Sequence, residues 1–174
     1  MTSLPGCILS GSPHDNGNTA ALIHRLYPDI PVVKLFETKI QFCTGCNQCI
    51  NNRCVIDDGF ELLLKSCKPH FVLISPIYFY GFPSFVKAFV DRFQIFWNSK
   101  RMENFESAVI LLHGESGNKK AESGLQALSE ILFQYLGAKN TIFYILHNWN
   151  KTISLNDERI LWLETKLKTV YSVK

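Results

Sequence analysis

The run His70-Phe-Val-Leu-Ile-Ser75 is apolar almost without interruption and stops at Pro76. A strand in a half-exposed sheet alternates apolar and polar residues, whereas a continuous apolar run fits a strand covered on both faces. That segment therefore asks for layers above and below it. Four more short apolar runs accompany it, at Cys7–Ser10, Pro31–Phe36, Ser107–Leu112 and Thr141–Leu146. Segments of helical spacing alternate with them: Thr19 through Leu22, Ile23 and Leu26, about Gly59 to Cys67 behind the capping candidates Asp57 and Asp58, about Ser84 to Trp97, about Ala121 to Leu136, and about Asp157 to Val170. Strand–helix alternation implies crossover connections, hence an α/β chain with a parallel sheet and helices on both faces. The 174 residues suffice for one domain with a sizeable core, so a single domain over 1–174 is expected, with a cysteine-rich loop at 40–58.

The net charge is +3 and the basic residues are scattered. Nucleic acid is not expected as a partner, because backbone phosphates are met by a basic stripe. No apolar stretch reaches the length of a membrane helix, and the first residues lack a basic region followed by a long apolar run. The expectation is a cytoplasmic chain that does not use a membrane. In such a chain, six cysteines are read as metal or redox groups before disulfides.

Four of those cysteines, Cys43, Cys46, Cys49 and Cys54, fall in one short loop with the spacing C-x2-C-x2-C-x4-C. A [4Fe–4S] cube takes one thiolate per iron, and short C-x2-C steps let one loop turn around it corner by corner. Zinc accepts four cysteines as well, although structural zinc sites usually use two knuckles with a longer insert. Reduced, unligated thiols are the third reading. Cys7 and Cys67, outside this loop, read as small buried hydrophobes.

Ligands of a doubly wound sheet sit beyond the carboxyl ends of its strands, where the strand order reverses. The loop from Ser10 through Ser12, Asp15, Asn16, Gly17 and Asn18 to Thr19 is rich in hydroxyls and opens a helix. Ser10, Ser12 and Thr19 with the loop amides could hold a terminal phosphate, helped by the helix dipole. An ordinary strand-to-helix turn explains the same composition. The second loop, Pro76-Ile77-Tyr78-Phe79-Tyr80-Gly81, places aromatic rings at a strand end, as stacking on a flat, flavin-like ligand would require; core packing is the alternative. The third, His113-Gly114-Glu115-Ser116-Gly117, allows close backbone approach at its glycines.

Gly11-Ser-Pro with Gly17-Asn18-Thr19, the cysteine loop closing in Cys54-Val-Ile-Asp57-Asp58, and Ser75-Pro-Ile-Tyr78 followed by Lys87-Ala-Phe-Val-Asp91-Arg92 together resemble the NADPH-dependent FMN reductase and iron-sulfur flavoprotein family. The resemblance covers about residues 7 to 117. It implies a flavodoxin-like three-layer sandwich whose five-stranded parallel sheet has the order 2-1-3-4-5. It also implies an FMN-dependent oxidoreductase using NAD(P)H, with a small acceptor such as a quinone or flavin; a one-electron carrier with FMN, a [4Fe–4S] cluster and a redox-protein partner is the alternative. By the same resemblance the FMN phosphate falls to Ser10, Ser12, Asn18 and Thr19. The isoalloxazine falls to Pro76, Ile77, Tyr78, Phe79, Tyr80 and Gly81, with Gly114 and Glu115 nearby. Iron-sulfur members use the four-cysteine motif as cluster ligands. The chain departs from the pattern at His14, where arginine or lysine is common.

Phe85, Phe89, Phe93 and Trp97 recur every four residues on one helical face, broader than one sheet requires. A homodimer or homotetramer is the expectation from this face, and docking on the chain's own sheet the alternative. Lys87 and Asp91 suit an i to i+4 ion pair.

Overall fold

The computed structural model describes residues 4–114, 118–149 and 157–171. Five strands, β1 (Ile8–Ser10), β2 (Val32–Lys34), β3 (His70–Pro76), β4 (Ser107–Gly114) and β5 (Asn140–His147), form one sheet in the order β2-β1-β3-β4-β5. Every pairing is parallel. The flavodoxin-like order expected from the resemblance is the order found. The helices are α1 (Asn18–Leu26), α2 (Phe60–Ser66), α3 (Ser84–Asp91), α4 (Gln94–Ser99), α5 (Lys119–Leu136) and α6 (Glu158–Tyr171).

Strand geometry sends successive side chains to opposite faces, and the core divides accordingly. Leu9, Phe71, Leu73, Ala108, Ile110 and Leu112 pack on one side with Phe60, Phe89, Phe96 and Leu132, from α2, α3, α4 and α5. Ile8, Val72, Ile74, Val109 and Leu111 pack on the other with Leu22 of α1 and Leu163 of α6. All seven residues of β3 are buried, which is why its sequence does not alternate. Among the described residues no helix is long and apolar enough to cross a membrane.

The helix expected from about Ser84 to Trp97 is two helices. At the join Arg92 N–H donates to the Phe89 carbonyl and Phe93 N–H to that of Val90, tightening the chain to three-residue turns. The cause is Arg92, which turns inward. Its guanidinium pairs with buried Asp58, donates to the carbonyls of Gln41 at 3.2 Å and Ile56 at 3.1 Å, and lies over the Phe60 ring. Phe89, Phe93 and Phe96 are then buried in the chain's own core, while Trp97 stays exposed. Lys87 and Asp91 make the expected i to i+4 ion pair.

The sheet reverses its winding between β1 and β3. β1 connects outward to β2, and β3 connects the other way to β4 and β5. The carboxyl ends at Ser10 and Pro76 flank that crevice.

Candidate functional site

The first loop leaves β1 at Ser10 and enters α1 through Gly17. Ser10 and Ser12 are buried, and their hydroxyls order the turn: Ser12 N–H donates to Ser10 Oγ at 3.4 Å and His14 N–H to Ser12 Oγ at 3.2 Å. Gly11 N–H donates to the Ile74 carbonyl at 2.8 Å, fixing the loop against β3. A Cβ at Gly11 would lie 2.5 Å from Ser75 Cβ and 2.9 Å from Val86 Cγ2, so only glycine allows this approach. No side chain caps α1, which leaves the dipole of its N-terminus directed into the loop. Lys34 beside the loop is paired with both Asp15 and Glu37.

The second loop is a tight turn. Tyr78 N–H donates to the Gly81 carbonyl at 2.9 Å and Gly81 N–H returns to the Tyr78 carbonyl at 3.0 Å. Phe79 and Tyr80 between them have φ of 45° and 64°. Bulky residues in the left-handed region are strained. The Phe79 side chain is 97 % exposed, and Tyr78 and Tyr80 are also exposed. The core-packing alternative for these rings is therefore not what the fold contains.

His113, the last residue but one of β4, joins all three loops. Its carbonyl accepts from Ile77 N–H at 2.8 Å, and its Nε2 lies 2.8 Å from Thr19 Oγ1 at the start of α1. Its ring meets Trp149 edge-on with centroids 6.0 Å apart. Gly114, the last residue of β4, lets this strand end approach Ile77, because a Cβ there would lie 3.3 Å from Ile77 Cβ. Burial pulls the His113 imidazole down to about 4, so the ring is neutral at neutral pH. Its contribution to the loop is a hydrogen bond and not a charge.

Ser10, Ser12, Asn18, Thr19, Pro76, Ile77, Tyr78, Phe79, Tyr80, Gly81 and Gly114 therefore occupy one edge of the sheet. Glu115 lies outside the described residues. These groups suit a ligand with an anion at one end and a flat ring system at the other, the outline of FMN: hydroxyls and a helix N-terminus for the phosphate, exposed rings for the isoalloxazine. In the sequence His113 is only the first residue of the third loop. Nothing local connects it to Thr19, 94 positions away.

Among the described residues no three His, Cys, Asp or Glu side chains gather closely enough to hold a metal ion. Cys43, Cys46, Cys49 and Cys54 are all unpaired thiols, with Cys46 exposed, Cys49 buried, and Cys43 and Cys54 between. Left-handed backbone at Gly45, Asn47 and Asn52 redirects the chain between them. Asn98 Nδ2 donates to Cys49 Sγ at 3.2 Å, holding that thiol toward α4. Protein groups close the loop at its base, where Asp58 accepts from Gln41 N–H at 2.8 Å and pairs with Arg92. Although burial raises the Asp58 carboxyl, hydrogen bonds from Gln41 and Arg92 hold it below the ordinary carboxylate range. In this arrangement the four thiols do not fit a cluster.

The family model for NADPH-dependent FMN reductase matches residues 7–142. An iron-sulfur flavoprotein of Archaeoglobus fulgidus is 23% identical over 124 residues, covering 66% of this chain and 56% of the relative's length. The chain thus spans little more than half of that curated relative. Among solved structures, the Trp repressor binding protein from Bacillus subtilis is similar at a TM-score of 0.58 and 20% identity, covering 92% of this chain and 96% of that one. The NAD(P)H:quinone oxidoreductase from Methanothermobacter marburgensis is similar at 0.57 and 10% identity, over 97% and 98%. Identities this low carry the fold alone.

Proposed function

This chain belongs to the NADPH-dependent FMN reductase family, and from that premise we propose that it is an FMN-dependent oxidoreductase drawing electrons from NAD(P)H and passing them to a small acceptor such as a quinone or free flavin. The observation that carries the reading is the convergence of three loops on His113 at the β1/β3 crevice. Bound FMN supplies hydride chemistry that amino-acid side chains lack. The chain's own residues bind and orient it. Ser10, Ser12, Asn18 and Thr19 take the phosphate with loop amides and the α1 dipole. Pro76, Ile77, Tyr78, Phe79, Tyr80 and Gly81 present rings and backbone to the isoalloxazine, with Gly114 leaving space beside Ile77. Neutral His113 holds Thr19 in place, and no side-chain acid or base is needed.

The test is NADPH oxidation by the purified protein with a quinone acceptor, with and without added FMN. Turnover that depends on FMN supports the reading, and the same slow rate in both mixtures counts against it.

The C-x2-C-x2-C-x4-C spacing, together with the name of the Archaeoglobus relative, favours a second reading: a one-electron carrier with a [4Fe–4S] cluster at Cys43, Cys46, Cys49 and Cys54 and a redox-protein partner. It requires the loop to rearrange, since the thiols do not converge. About four irons per chain after anaerobic purification would favour it. Self-association belongs to the same proposal, because Trp97, Met102, Leu62 and Val55 leave apolar surface around this loop exposed. Light scattering that returns the monomer mass at all concentrations would remove it.

A further inference from the structure

Away from the ligand edge, two thiols that the flavin chemistry does not use lie against each other. Cys7 leads into β1 and Cys67 follows α2, 60 positions later, with their sulfur atoms 3.1 Å apart. Cys7 is 4 % exposed and Cys67 is 0 % exposed. The backbones are clasped at this point. Gly6 N–H donates to the Cys67 carbonyl at 3.3 Å, and a Cβ on Gly6 would come within 2.9 Å of the Lys68 carbonyl oxygen. The side chain of Cys67 also donates to the Leu63 carbonyl at 3.3 Å, which fixes it on the last turn of α2. Two sulfurs held this way need to close by only about 1 Å to bond.

We propose that Cys7 and Cys67 form a modification site, a dithiol that a small peroxide converts to an intramolecular disulfide and a thiol reductant restores. The two sulfurs have different roles. The contact with Cys67 holds Cys7 below the ordinary thiol range, against the opposing effect of burial. Cys67 is pushed up, by the same contact and by burial. Cys7, 4 % exposed where Cys67 is 0 % exposed, is the sulfur that a peroxide reaches and therefore the nucleophile. Its thiolate attacks one oxygen of hydrogen peroxide, the O–O bond breaks, and hydroxide leaves to become water. The Cys67 sulfur then attacks the sulfenic sulfur of Cys7; the S–S bond forms, the S–O bond breaks, and hydroxide departs with the Cys67 proton as a second water. Two thiols are oxidised and one peroxide is reduced to two waters. The burial of both sulfurs selects a small oxidant.

The cross-link would close a covalent ring from 7 to 67 that contains both the phosphate-type loop and the cysteine loop. It sits at the opposite end of β1 from Ser10, so it acts on the stability of this half of the chain and leaves the ligand edge unaltered.

The experiment treats folded protein with hydrogen peroxide, blocks remaining thiols, and maps the peptides without reduction. The expected result is a Cys7–Cys67 linked peptide that disappears on treatment with dithiothreitol, together with a rise in the thermal midpoint that dithiothreitol reverses. C7S and C67S should each abolish both signals. Should either variant fail to fold, the wild-type peptide map still decides. Sulfinic acid at Cys7 without a link, links confined to Cys43, Cys46, Cys49 and Cys54, or a Cys7–Cys67 link formed only in denaturant would each overturn the proposal. None of these outcomes depends on FMN binding.

Discussion

A histidine that is buried and neutral beside a hydroxyl leaves a signature in the pH dependence of stability. His113 has its folded value near 4, below the roughly 6.5 of an unfolded chain. Between these values the unfolded state binds more protons, so stability is lost as pH falls through that window, by up to about 3 kcal/mol. H113Q keeps a side-chain donor but cannot titrate. The wild-type thermal midpoint should fall more steeply than that of H113Q between pH 6.5 and 4, and parallel curves would mean that His113 is not buried as described. The same variant probes the site. If His113 positions Thr19 for a phosphate, H113A weakens FMN about tenfold, the value of one hydrogen bond, and leaves riboflavin affinity unchanged. Equal losses for both ligands would assign His113 a general packing role. The sequence made Ser10, Ser12 and Thr19 visible as a hydroxyl-rich loop, but a contact spanning 94 positions has no local pattern to read.

One element differs from its sequence expectation through long-range side-chain pairing. The helix from 84 to 97 is divided because Arg92 serves Asp58 and the cysteine loop, a demand that helical periodicity does not register. Removing one partner of such a buried pair costs about 3 kcal/mol or more. R92M should lower stability by that order and speed proteolysis between residues 41 and 58; an unchanged cleavage rate would show that Arg92 does not close the loop. Cysteine spacing, in turn, records which thiols are near in sequence and not which way the left-handed residues between them turn the chain. The aromatic turn is a further element. Tyr80 at φ of 64° should accept glycine with a gain of about 1 kcal/mol, because the backbone strain is removed. Y80G is expected to be more stable in denaturant titration yet to bind FMN less tightly. A variant that loses stability would contradict the strained turn, and unaltered FMN affinity would remove Tyr80 from the site.

At the scale of the molecule, the continuous apolar strands His70–Pro76 and Ser107–Leu112 made the two-sided parallel sheet legible, since each residue pair along them feeds opposite cores. The crevice between β1 and β3 follows from the strand order, and the site from what the three strand ends carry into it. This edge is the proposed FMN site. The most direct measurement is a titration of the purified, flavin-stripped protein with FMN, followed by quenching of flavin fluorescence, with S12A as the comparison. Saturation is expected at one FMN per chain at micromolar concentration or below, with S12A markedly weaker. No quenching by the wild type, or affinity unaffected in S12A, would contradict it.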